Sequence, residues 1–272
     1  YNYALGYLYN EQILADAGLS VPTSLDELVE TSKALTTGEQ TGLAMQPQRG
    51  YKIFEEWANF LFAAGGSIYN EDGSGALDSP EAQAALEAYI DLYNNAAPEN
   101  SLNWAFDEAF RSVSTGQSAA MVSYNWNLPA LNSPDAGDLA GNFKLATMPG
   151  GKQVLGSWSW AIPSNSAAPD AAWAFVSWLT SKEVDVQRVI AGGAAVREST
   201  LQNESVLAEG FGAEYYDAII AILSNAAPLS EGAGGEEMIQ AVGTELNEAV
   251  AGTKSVEDAL AAANAAINEI QG

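Results

Sequence analysis

Pro22-Thr-Ser-Leu-Asp-Glu-Leu28, followed by Gly42-Leu-Ala-Met-Gln46, sets the alternation from which the fold is read. The first stretch opens a helix. Thr23 caps it, Asp26 sits three residues on as in a capping box, and Leu25, Leu28, Val29 and Leu35 form one apolar stripe. The second is an apolar run of strand length. The same alternation continues downstream. Tyr51 to Ala64 predicts an aromatic helix stopped by Gly65-Gly66. Asn70-Glu-Asp-Gly-Ser-Gly75 has turn chemistry, and Ser79-Pro80 opens a helix with Leu86, Tyr89, Ile90 and Tyr93 on one face. A helix around Phe106 to Val113 precedes a short strand, Ala119-Ala-Met-Val122. Asn142 to Met148 and Val154 to Ile162 read as two more strands about the turn Pro149-Gly150-Gly151. Pro169 to Leu179 is helical and apolar nearly all round, which predicts burial on several sides, with Trp173 and Trp178 as packing residues. Two amphipathic helices close the chain, one with Met238, Val242, Leu246 and Val250, the other with Val256, Leu260, Ala263, Ile267 and Ile270. Many helices with scattered short strands and no internal repeat make an α/β chain.

The composition narrows the function. The 272 residues carry 35 acidic and 10 basic side chains, a net charge of −25. Such a surface repels phosphate backbones, so nucleic acid is not an expected partner. The chain has no histidine and no cysteine, which removes the commonest general base, the commonest zinc ligand and the thiol nucleophile. Gly116-Gln-Ser118 lacks the closing glycine of a nucleophile elbow, and Gly210-Phe-Gly212 lacks the third glycine of a dinucleotide loop. The acidic turn at Asn70 to Gly75 does not have calcium-loop spacing. No cofactor is implied. A glycoside hydrolase needs only two carboxylates and is the rival enzyme reading. Its sole apolar candidates are Glu55 and Glu56, which are adjacent on a helix and point different ways. A helical adaptor for protein partners is the third class.

Read in order, Tyr7-Leu-Tyr-Asn10, Ala17-Gly18-Leu19, Pro22 to Leu28, Gly65-Gly66, Phe110 with Gly116 and Ala119-Ala-Met121, Asn125-Trp126, Ile162-Pro163-Ser164-Asn165-Ser166, Ala171-Ala172-Trp173 and Val196-Arg197 carry a resemblance. The chain resembles the extracellular solute-binding proteins of sugar ABC transporters, the family that includes the maltose-binding protein. The family pattern usually has a tryptophan where this chain has Leu25. The resemblance implies a periplasmic-binding-protein-like fold of two α/β lobes that close on a ligand at a hinge. Residues 9–153 plus 200–272 would form the second lobe, largely complete. Residues 157–197 would be the remnant of a truncated first lobe with its crossing strands. A complete member would begin roughly 100 residues earlier, about one small domain. The implied function is capture of an extracellular sugar or oligosaccharide and delivery to the membrane permease of an ABC importer, without catalysis. The implied location is extracellular or periplasmic, with a lipoprotein-type anchor in the preceding segment. The truncated chain is expected to self-associate and to bind sugar more weakly than the complete protein.

The site candidates follow from aromatic rings that stack on sugar C–H faces and planar polar groups that meet hydroxyls. Trp126, after Asn125, stands where the family places a cleft-facing aromatic residue. Trp158 and Trp160 alternate with serines, and a strand there would put both rings on one face. Trp57 lies near another family ligand position. Glu56, Arg49 and Arg197 are the polar candidates, and Arg197 could instead clamp the hinge.

Overall fold

A computed structural model describes residues 2–38, 40–230 and 234–271. The chain opens with β1 (Asn2–Asn10), α1 (Glu11–Asp16), α2 (Leu25–Leu35), β2 (Thr41–Ala44), α3 (Tyr51–Ala63) and α4 (Pro80–Asn95). It continues through α5 (Phe106–Ser114), β3 (Ser118–Tyr124), α6 (Leu128–Leu131), β4 (Phe143–Ala146), β5 (Gln153–Ser157), α7 (Pro169–Leu179) and α8 (Lys182–Ile190). Then come α9 (Glu198–Leu201), α10 (Glu204–Glu209), α11 (Ala213–Leu223), β6 (Ala226–Pro228), α12 (Gly235–Val250) and α13 (Val256–Gln271).

The sheet runs β2-β3-β1-β5-β6, with β4 also paired to β1. β1 is antiparallel to β3, β4 and β5, whereas β2 is parallel to β3 and β6 to β5. All strands but β1 therefore end on one edge, the edge where β1 begins. In open α/β sheets the carboxyl ends of strands are where ligands are bound, because helix N-termini and free loops gather there. β1 itself is buried along nearly its whole length, as a central strand covered on both faces must be.

Helix starts follow local capping chemistry. The first predicted cap is displaced by one residue: Ser24, not Thr23, caps α2 by accepting from Glu27 N–H at 3.2 Å. The Glu27 carboxylate returns the contact by accepting from Thr23 N–H and Thr23 Oγ1, both at 2.7 Å. Ser79 caps α4 with Pro80 in its first turn, as read from the sequence. α3, α4, α12 and α13 pack around Trp57, Phe60, Tyr89, Leu246 and Ile267 in the main core. Gly42 lets α2 lie against β2, since a Cβ there would overlap the Ser32 backbone.

Two expectations are overturned. β5 stops at Ser157, so Trp158 and Trp160 lie beyond the strand in irregular backbone and have no strand alternation. α7 spans the predicted residues but has no buried residue, and Trp173 is 66% exposed. Its apolar character reports a face that the described residues leave uncovered. A separate cluster joins α8 to α11, with Val189 and Ala195 packed against Leu201, Val206, Tyr216 and Ile219. No helix among the described residues is long and apolar enough to cross a membrane.

Candidate functional site

The edge where β2, β3 and β5 end and β1 begins carries an aromatic cluster. Trp126 follows β3 in a short 3-10 turn and is 43% exposed. Its ring stacks on Tyr124 at 5.3 Å with planes 7° apart. Tyr3, at the start of β1, meets Tyr124 edge-on at 5.0 Å. Phe106, at the start of α5, flanks both, 6.1 Å from Tyr124 and 6.2 Å from Trp126. One face of the indole is thus backed by a phenol ring, and 43% of the residue's surface stays open to solvent. Flat apolar rings held in this way bind the C–H faces of polyhydroxylated molecules.

Beside the rings, the first turn of α3 supplies a closed polar network. Lys52 Nζ donates to Glu55 Oε2 at 2.9 Å and to Tyr124 Oη at 2.6 Å. Tyr124 Oη donates in turn to Glu55 Oε2 at 2.7 Å, and Tyr51 Oη donates to Glu55 Oε1 at 2.9 Å. The Lys52 ammonium also lies 5.0 Å from the centroid of Tyr124. Burial, reinforced by the Glu55 charge, pushes the Tyr124 and Tyr51 phenols far above their ordinary range, so both stay neutral donors. The network fixes the hydroxyl end of Tyr124.

Asn125 turns inward. Its Oδ1 accepts from Ala4 N–H at 3.1 Å and its carbonyl accepts from Tyr215 Oη at 3.3 Å, so it ties the Trp126 turn to β1 and α11. Trp158 and Trp160 lie elsewhere on the same edge. They line a cleft of about 470 Å³ with Asn2, Val176 and Arg188. Asn2 also lines the narrow cleft under Asn125 and Trp126, which makes it the shared wall between the two groups.

The other predicted site residues serve the scaffold. Trp57 has no exposed surface; it sits in the main core 6.4 Å from Phe54, on a helix buried all round from Ile53 to Phe62. Glu56 is buried on the neighbouring face. Its Oε2 accepts from Gln46 N–H at 2.7 Å and from Tyr89 Oη at 2.6 Å, while Oε1 has no partner. Desolvation pushes this carboxyl up to about 7, against the two hydrogen bonds that favour its charged form. Arg49 reaches away from the rings to α12, where Nε donates to Asn247 Oδ1 and Nη2 pairs with Glu248 Oε1, each at 3.3 Å. Arg197 Nη2 donates to Thr180 O at 2.7 Å, at the carbonyl end of α7. The structure thus places Trp57 and Glu56 in the core and turns Arg49 to α12, and it brings Tyr3, Tyr51, Lys52, Glu55, Phe106 and Tyr124 together beside Trp126. Glu55 and Glu56 do point different ways, into the polar network and into the core. Among the described residues no group of three or more His, Cys, Asp or Glu is arranged to hold a metal ion.

Comparison with known proteins supplies the family. The chain is 27% identical over 260 residues to a probable amino-acid ABC transporter periplasmic-binding protein of Sinorhizobium fredii, a match covering 93% of this chain and 59% of that protein. Two solved structures superimpose over almost all of it. An ABC transporter solute-binding protein from Agrobacterium radiobacter, in complex with ribitol, is 26% identical with a TM-score of 0.86, covering 98% of this chain and 69% of that one. Another from Thermotoga lettingae, bound with α-D-tagatose, is 26% identical with a TM-score of 0.87, covering 100% and 71%. The chain spans about three fifths of the length of the Sinorhizobium relative and about seven tenths of the two solved chains. The fold is that of the two-lobe periplasmic binding proteins, as the resemblance implied. The profile of the bacterial extracellular solute-binding proteins matches residues 1–186, and the chain belongs to that family.

Proposed function

We propose that this chain binds an uncharged sugar or polyol outside the cell and hands it to the permease of an ABC importer, without catalysis. The observation that carries the reading is the Trp126 ring, held on Tyr124 beside a polar network that is already neutralised. An amino-acid ligand would need a free cation for its carboxylate and a free carboxylate for its ammonium group. Lys52 and Glu55 spend their charges on each other. What remains is one N–H of the three on the Lys52 ammonium, suited to a hydroxyl. The ribitol and tagatose complexes of the two structural relatives favour the same ligand class. The test is a thermal-shift panel of ribitol, D-tagatose, maltose, glutamate and lysine on the protein at its full encoded length. Stabilisation by a neutral compound and none by the amino acids is expected; the reverse pattern overturns the assignment.

In this reading residues 9–153 and 200–272 build one lobe, and residues 157–197 contribute to the other. The α8–α11 cluster, which spans the boundary near residue 200, would then lie where the lobes meet. The 272-residue chain by itself exposes Trp158, Trp160, Trp173, Phe175 and Trp178. Phe175 and Trp178 are ring neighbours at 6.0 Å, and both Trp158 and Trp160 share a cleft with α7. Rings grouped in this way drive association, here with a second copy of the chain. Light scattering at micromolar concentration is expected to give a dimer or larger species, shifted to monomer by Trp178→Glu. A monomer at all concentrations would contradict this.

A further inference from the structure

Gly156 stands on β5 opposite Tyr3 in antiparallel register. A Cβ placed on Gly156 would overlap the Cζ, Cε2 and Oη atoms of Tyr3. The far half of the Tyr3 ring therefore occupies the space that any other side chain at residue 156 would fill. The Gly156 backbone is not in the left-handed region, so the glycine is required by the ring and not by its own conformation.

That placement has a consequence three rings away. Tyr3 meets Tyr124 edge-on at 5.0 Å and 86°, and Tyr124 stacks on Trp126 at 5.3 Å and 7°. The two ends of Tyr124 are held differently. Its hydroxyl is fixed by Lys52 and Glu55, whereas the body of the ring rests between Tyr3 and Trp126. Edge-to-face and offset-stacked pairs have preferred geometries, so moving one ring re-tilts the next. Gly156 is also one residue before β5 ends and the chain turns off towards Trp158 and Trp160.

We infer that Gly156 is a positioning residue for solute binding: its lack of a side chain seats Tyr3, and Tyr3 sets the tilt of the Tyr124–Trp126 platform. The inference rests on the proposal that the Trp126 face takes the ligand. In Gly156→Ala the overlap is relieved when Tyr3 swings to another rotamer, because the half-buried ring yields more easily than the paired strand. The change therefore alters the platform more than the stability of the fold.

The test has two arms. The first needs no ligand: near-ultraviolet circular dichroism of this chain reads the Tyr–Trp stack directly. Gly156→Ala is expected to change that spectrum, and to leave it unchanged when added to Tyr3→Ala, where no ring remains to be displaced. The second arm is calorimetric affinity for ribitol, D-tagatose and maltose on the full-length protein. Gly156→Ala should weaken binding by about three- to tenfold, the effect of one lost aromatic pair, and should have no further effect in the Tyr3→Ala background. An unaltered spectrum and affinity in Gly156→Ala, or the same loss with Tyr3 already removed, overturns the inference. Unchanged affinity in Trp126→Ala overturns the platform assignment instead, and the first arm still decides whether Gly156 seats the rings.

Discussion

Trp126→Ala, made in the full-length protein, is expected to weaken solute binding by about 1–3 kcal/mol, the range for removing a large aromatic anchor from a binding surface. That is roughly a 5- to 150-fold increase in Kd. Three observations set the size. The ring is 43% exposed, so a ligand would cover surface that folding does not. Its inner face is stacked on Tyr124, so it is pre-positioned and little ordering is lost on binding. The Lys52–Glu55–Tyr124 network beneath is closed without it, so the variant keeps its polar partners and should fold. Titration calorimetry on the folded variant measures the effect. Unchanged affinity would assign Trp126 to packing.

The second large effect concerns stability and has its source in Glu56. The carboxyl is buried with one unpartnered oxygen, and desolvation raises its folded value to about 7 from an ordinary 4.5. A group whose folded value is raised stabilises the fold fully below its unfolded value, and that contribution is lost as pH rises through the folded one. Between about pH 4.5 and pH 7 the folded state holds more protons than the unfolded state, so stability falls with rising pH. The displacement corresponds to roughly 3 kcal/mol by pH 8. Glu56→Gln keeps an oxygen for Gln46 N–H and Tyr89 Oη but cannot ionise. The drop in Tm from pH 5 to pH 8 should therefore be smaller in Glu56→Gln than in the parent, by on the order of 5–10 °C for a chain of this size. Self-repulsion among the other acids changes both proteins alike, so the comparison isolates Glu56. Parallel pH profiles would contradict the account.

The helices were largely legible because their signals are local. Ser79-Pro80 marks the start of α4, and the span of α7 follows from Pro169 and its apolar run. The α2 cap slipped by one residue because Thr23 and Ser24 are both competent caps, and only Glu27 folding back on Thr23 decides between them. The site was less legible. Trp126 could be picked out by its place after a strand, but Tyr124, its stacking partner, lies beyond the apolar run Ala119 to Val122 that marked the strand. Tyr3 belongs to β1, whose strand character comes from pairing with β3, β4 and β5, all more than 100 residues away. Trp57 shows how residue type misleads. Phe54, Trp57 and Leu61 recur on one helical face, and that spacing already pointed into the core. Lys52 and Glu55, three apart on another face, are the polar pair that reaches Tyr124. α7 failed for a different reason: a helix apolar all round predicts burial, but not what buries it.

The central claim is that this is a binding protein for an uncharged, polyhydroxylated solute. Titration calorimetry of the full-length protein with ribitol, D-tagatose and maltose, with the recovered compound analysed by chromatography, tests it most directly. The account predicts saturable one-site binding of at least one neutral compound, recovered unchanged. Turnover of the bound compound, or binding confined to amino acids, would contradict it.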